Sequence, residues 1–221
     1  SAKATQHGSH YVLNGTKAYV QNPLHASDFI VAVRFPQGVG LVLIESSTPG
    51  VDVREFDAFG TGIGQVEFSS VEFLPEALLG APGSGWVDFD RAATQSLPIL
   101  SAYQSGGLDR VFDMCLTYSQ TRHQFQQPIG RFQRVQDHII DIVNYRDAAR
   151  WTTYEAIWKL DTEQDDYEAA VRVSAITASE GYYLACNAAH DVHAGVGIIR
   201  EYGLTLHTQM SRTLYHYLGS P

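Results

Sequence analysis

Apolar and polar positions alternate with a period of two along the first third of the chain, and the period then lengthens. The stretches "HYVLNGTKAYVQN", "DFIVAVRF", "VGLVLIES", "VDVREF" and "QVEFSSVEFLP" are rich in Val, Ile and Phe and bounded by Gly, Pro, Ser or Asp. Such runs read as strands. Asn14-Gly15 sits between two alternating apolar runs and predicts a hairpin turn. Strands recurring roughly every ten residues predict an antiparallel barrel or sandwich over residues 1–80.

Beyond "PEALLGAPGSGW" the apolar positions fall three and four apart. Leu97, Leu100, Leu108, Val111, Cys115 and Tyr118 predict a helix from about Trp86, which Pro98 and Gly106-Gly107 weaken locally. A second helix is predicted from Gln133 to Leu160, with Ile139, Ile142, Val143, Ala149, Ala156 and Ile157 on one side. At about 1.5 Å per residue it would extend about 42 Å. A third, from Tyr167 to Ala189, carries the small residues Ala170, Ser174, Ala178, Gly181 and Ala185. "HAGVG" interrupts, and "EYGLTLHTQMSRTLYHYL" resumes helical spacing. Long helices joined by short loops predict an antiparallel four-helix bundle over residues 85–221. The fold class is therefore α+β, a β-domain followed by a helical bundle.

Composition narrows the partners. A hydrophobic share of 44% suffices for a core, and the net charge of −9 disfavours nucleic acid or an anionic membrane as the main partner. No apolar run approaches the roughly 18–20 residues that would span a bilayer, and no signal-peptide pattern occurs, so the expectation is a cytoplasmic protein. The two cysteines, Cys115 and Cys186, lie in apolar helical contexts and read as buried reduced thiols. The start at Ser1 and the ending "YHYLGSP" lead us to expect a piece of a longer chain, trimmed at both ends.

The stretch "RHQFQQPIGRFQRVQ", residues 122–136, is too polar for core and too punctuated for a casual linker. Three segments, in order and at plausible separations, carry a resemblance: "YVLNGTKAYVQN", "TRHQFQQPIGRFQRVQ" and "DVHAGVGIIREYGL". Over nearly its whole length the chain resembles the acyl-CoA dehydrogenase family, its middle β-domain and C-terminal helical domain. The family's N-terminal helical domain and first middle-domain strands have no counterpart here.

That resemblance implies FAD as cofactor, an acyl-CoA or acyl-carrier thioester as substrate, and a homo- or hetero-oligomer sharing FAD across its interface. Arg122, Phe125, Ile129 and Gln133 match family residues that grip the ADP half of an FAD held mainly by a neighbouring subunit. A pyrophosphate needs a fixed cation or clustered N–H groups, and arginine supplies a planar fork of donors. The plainer reading of Arg122 is a cation at the C-terminus of the preceding helix. Gly195 and Gly197 match glycines of the family's Gly-rich loop, where backbone N–H groups face an anion. Ala194 departs from the usual Gly, and is tolerable there at negative φ; Asp191 departs from Gln and would have to turn away from a pyrophosphate. Tyr19 and Gln21 match residues lying against the flavin ring. His190, Asp191 and His193 lack a third well-spaced ligand, so no metal site is assigned.

The family's reaction needs a carboxylate to take the α-proton while a hydride leaves the β-carbon. The aligned positions hold Leu218, beside Tyr217, and Ser96, so no catalytic base is assigned. The resemblance therefore implies either an active dehydrogenase with an unforeseen base or the subunit of a heteromer that lacks the catalytic Glu. A flavin-dependent oxidase or monooxygenase, and a flavin-free structural subunit, are the alternatives.

Overall fold

The computed structural model describes residues 2–56 and 62–217. The chain divides into two compact units, Ser1–Ala92 and Ala93–Pro221.

The first unit is a seven-stranded sheet: β1 (Lys3–His7), β2 (His10–Gln21), β3 (Asp28–Phe35), β4 (Gly38–Glu45), β5 (Val51–Glu55), β6 (Ile63–Phe73) and β7 (Leu78–Leu79). Their order across it is β5-β6-β2-β1-β3-β4-β7. Alternation sorts the faces: in β3, Phe29, Val31, Val33 and Phe35 point inward and pack with Leu13, Val42, Val66, Phe68 and Val71.

Two expectations are corrected here. The sheet is mixed, because β1 runs antiparallel to β2 but parallel to β3, where the Arg34 N–H donates to the Ala2 carbonyl at 3.1 Å. No ladder joins end strands β5 and β7 among the described residues. The parallel contact is non-local, and local spacing carries no sign of it. The hairpin turn falls at Gly8-Ser9, between the paired His7 and His10, and β2 runs straight through Asn14-Gly15. There the register against β6 shifts, Gly15 takes φ 138°, and Asn14 Oδ1 accepts the Ser70 N–H at 2.8 Å. An Asn-Gly pair serves a β-bulge as well as a turn, because both use positive φ and a short side-chain acceptor.

In the second unit four helices share one core: α1 (Gly85–Thr121, which begins within the first unit), α2 (Gln133–Asp161), α3 (Tyr167–His193) and α4 (Leu204–Tyr215). Leu108, Val111 and Cys115 of α1 meet Ile142 and Ala149 of α2, Ala178, Tyr182 and Ala185 of α3, and Leu204 of α4. The small residues permit close approach: a Cβ on Gly107 would lie 2.5 Å from the Tyr182 ring. The buried Gln104 amide pairs with the Ser179 hydroxyl at 3.1 Å, as burial requires, while the buried Thr153 hydroxyl has no partner among the described residues. Arg146 lies 4.3 Å above the Phe112 ring, while Arg150 pairs with Asp109. Cys115 and Cys186 are buried and free, and burial pushes their thiols up to about 12 and about 11, which leaves both unreactive. No helix among the described residues is long and apolar enough to cross a membrane.

Candidate functional site

Between α1 and α2 the chain folds into a miniature hairpin, β8 (His123–Gln124) and β9 (Gln127–Pro128). Its two-residue tip, Phe125 and Gln126, takes φ 51° and 64°. This is a turn of type I′ sense, where Asn-Gly is the usual occupant and Phe-Gln is strained. The tip projects Phe125 into solvent, 86% exposed, with its ring edge-on to Phe132 at 6.1 Å. The Ile129 N–H donates to the Arg122 carbonyl at 2.9 Å and fixes the base of the hairpin, with Ile129 buried.

Arg122 is exposed, and its guanidinium makes no hydrogen bond or ion pair among the described residues. Its backbone N–H closes α1 on the Tyr118 carbonyl, while its side chain caps nothing there. The hairpin and the α3–α4 connection together enclose a groove of about 530 Å³ lined by Arg122, Phe125, Ile129, Phe132, His193, Ala194 and Gly195. Four of the residues singled out from sequence, Arg122, Phe125, Ile129 and Gly195, therefore meet. Gln133 stands exposed at the first position of α2, outside the lining.

The two loop glycines part company. Gly195 is exposed, and a Cβ on it would meet nothing within 4 Å. Gly197 is buried, and its Cβ would lie 2.8 Å from His190 Nδ1 and 3.2 Å from His193 Cβ, so this glycine lets the loop pack on α3. Ala194 takes φ 49° and ψ −132°, against the negative φ that would have made it unstrained. Asp191 turns to α2, 3.9 Å from His138.

His193 is the groove residue whose part sequence reasoning missed. It extends α3 four residues beyond the expected end at Ala189. Almost wholly buried, it bonds the Ala189 carbonyl through Nδ1 at 2.7 Å and the Tyr202 hydroxyl through Nε2 at 2.9 Å. A carbonyl only accepts, so the proton sits on Nδ1 and Nε2 accepts from the phenol. The ring stacks on Tyr118 at 4.6 Å, and burial lowers its pKa, keeping it neutral. His190 bonds Thr208 and His207 bonds Tyr182, so these histidines tie α3 to α4. The only signal in sequence was proximity to the Gly-rich loop.

Tyr19 and Gln21 lie in the first unit. A second register shift, between Ala18 and Val20, and φ 60° at Tyr19 turn that ring outward, 79% exposed and edge-on to Phe56 at 5.9 Å. Gln21 is half-buried at the end of β2. Of the positions where a base was sought, Ser96 donates to its own helix at the Ala93 carbonyl, 2.7 Å away, and Leu218 lies outside the described residues. Among the described residues, no carboxylate lines the Arg122 groove or the cavity beside Tyr19.

The arrangement of helices and hairpin has relatives. L-prolyl-(peptidyl-carrier protein) dehydrogenase of Serratia sp. (strain ATCC 39006) is 32% identical over 207 residues, covering 89% of this chain and 53% of that protein. A probable acyl-CoA dehydrogenase of Bacillus subtilis (strain 168) is 28% identical, covering 91% and 56%. The chain thus spans about half the length of the curated relatives it matches. Among solved structures, PigA with FAD and proline superposes with a TM-score of 0.94 at 29% identity, covering 99% of this chain and 60% of that one. Butyryl-CoA dehydrogenase from Megasphaera elsdenii, at 23% identity and a TM-score of 0.92 over 100% and 60%, shares the fold. A model of the acyl-CoA dehydrogenase C-terminal domain matches residues 83–221, well over half the molecule, and the chain belongs to the acyl-CoA dehydrogenase family.

Proposed function

We propose that the groove around Arg122 holds the nucleotide end of FAD, in a protein that acts on an acyl thioester. The observation that carries this reading is the meeting of an unpaired guanidinium, an exposed aromatic and an open glycine in one groove. Arg122 offers the pyrophosphate a fork of donors with no internal partner to displace. Phe125 offers a ring face to an adenine, and strain at its turn is the kind of cost retained where function needs a side chain held out. Gly195 leaves the loop backbone open to close approach by an anion. Tyr19 and Gln21 stand as the flavin-facing pair of the β-unit. The groove's exposure supports an FAD shared with a neighbouring subunit, in a homo- or hetero-oligomer.

FAD, when bound, accepts a hydride from the β-carbon of the thioester. What this chain supplies is binding and orientation. Without a carboxylate in either cavity, the reading favoured is a subunit that holds the cofactor while the α-proton is taken by a base outside these residues. The name of the Serratia relative supports a carrier-protein thioester as substrate class beside acyl-CoA. Arg122→Ala is the test: FAD content after gel filtration should fall several-fold, and an unchanged flavin-to-protein ratio would remove Arg122 from the site.

A further inference from the structure

The Arg122 groove is one charge short of the ligand proposed for it. The pyrophosphate of FAD is a diester and doubly negative. Arg122 is the only permanent cation in the lining among the described residues, and the rest of it, Gln124, Phe125 and Phe132 included, is neutral or apolar. A second negative charge left unmatched in a partly desolvated groove is costly. The lining holds a single titratable base, His193.

The surroundings of that ring can accept a proton without breaking a bond. Nδ1–H donates to the Ala189 carbonyl and would go on doing so. At Nε2 the Tyr202 hydroxyl now donates, and a protonated nitrogen would reverse the bond, the phenol oxygen becoming the acceptor. From α1, Tyr118 stacks on the ring and Cys115 Sγ lies 4.0 Å from Nδ1, while Arg110 acts on Tyr202. From α3, His190 opposes a charge on the ring, and Asp191 is turned to His138 of α2. No carboxylate pairs with the ring among the described residues, from these elements or from α4. Burial therefore disfavours the imidazolium while the Ala189 and Met114 carbonyls favour it, a balance that an anion in the groove tips.

We propose that His193 is the groove's second cation on demand: a pyrophosphate binds there together with one proton, taken from solvent onto Nε2. The imidazolium then faces the anion from beneath while Arg122 faces it from the hairpin. By linkage, the pyrophosphate holds the proton and the proton holds the pyrophosphate, to the same extent. The inference rests on the nucleotide reading of the groove.

The test uses the full-length protein stripped of flavin, with ADP-ribose as probe, a diester pyrophosphate with no titrating phosphate near neutrality. Calorimetry near pH 6.5 in two buffers of different ionisation heat should show net proton uptake on binding. The Kd should fall roughly 3–10-fold from pH 8 to pH 6. Ring-nitrogen NMR of the wild type gives a readout that needs no variant: ADP-ribose should convert His193 to the imidazolium pattern. His193→Phe keeps a ring against Tyr118 and removes the titrating nitrogen, and should bind more weakly, with no proton uptake and a flat pH profile. His123→Gln, at an exposed hairpin histidine outside the lining, should keep the wild-type profile. Wild-type binding without proton uptake would overturn the inference alone, as would uptake that survives in His193→Phe. Absence of ADP-ribose binding at every pH would overturn the reading of the groove and this inference with it.

Discussion

Ala194 holds φ 49° and ψ −132° at the rim of the groove, a region that glycine enters freely and a Cβ resists. Relief of that strain is worth roughly 1–3 kcal/mol, against roughly 0.4–1 kcal/mol for the added freedom of an unfolded glycine. Ala194→Gly should therefore stabilise the protein by about 1 kcal/mol and raise Tm by roughly 2–4 °C in calorimetry. A lower Tm would show that Ala194 relaxes in solution. Arg122 belongs at the same scale. Because the reading depends on a planar fork, Arg122→Lys should recover only part of the FAD content lost in Arg122→Ala, as a single ammonium supplies charge without paired donors. At residue level the sequence spelled out chemistry but not direction. Gly195 and Gly197 look equivalent in "HAGVG", yet one faces open space and the other lies packed against His190 and His193.

The hairpin β8–β9 separates fold from function within one turn. Phe125 and Gln126 carry the same positive-φ cost, but only Phe125 lines the groove. Gln126→Gly should stabilise the protein by roughly 1 kcal/mol and leave FAD content unchanged. Phe125→Gly should relieve similar strain yet lower FAD content, and parallel behaviour of the two variants would refute a ligand role for the ring. The α3–α4 joint responds to pH instead. Burial lowers the pKa of His190, His193 and His207, so the folded state keeps them neutral where the unfolded chain, titrating near 6.5, takes up protons. Stability is fully present above about 6.5 and falls with pH below it, until the folded histidines also titrate. Denaturant midpoints at pH 7.5 and 5.5 should differ in that sense, and a smaller pH slope in His207→Gln would locate part of the effect in the Tyr182 contact. The helices were legible because their apolar period is local and long. The parallel β1–β3 contact and the buried anchor that carries α3 on to His193 arise from distant packing, which no local period encodes.

At the scale of the whole molecule the open matter is whether this chain completes the chemistry of its family. Two of the matched segments bring Arg122, Phe125, Ile129 and Gly195 into one groove, which makes the proposed place of the cofactor's nucleotide end testable. Ser96 bonds its own helix, and no carboxylate lines either cavity among the described residues. A general base must come within about 3 Å of the proton it takes, directly or through one water, so flavin content and flavin reduction test different residues. The purified protein should carry or take up FAD, giving a yellow flavin spectrum, and anaerobic addition of an acyl-CoA or acyl-carrier thioester should leave that spectrum oxidised. Bleaching by the thioester should appear only when a partner dehydrogenase subunit is supplied. Rapid bleaching in the isolated protein would refute the base-deficient subunit and place a proton acceptor within this polypeptide, while leaving the Arg122 groove intact. Loss of flavin itself in the wild type would instead strike the groove, because then no part of the cofactor is held. The two failures are distinguishable in one titration, flavin content read before substrate is added and reduction read after.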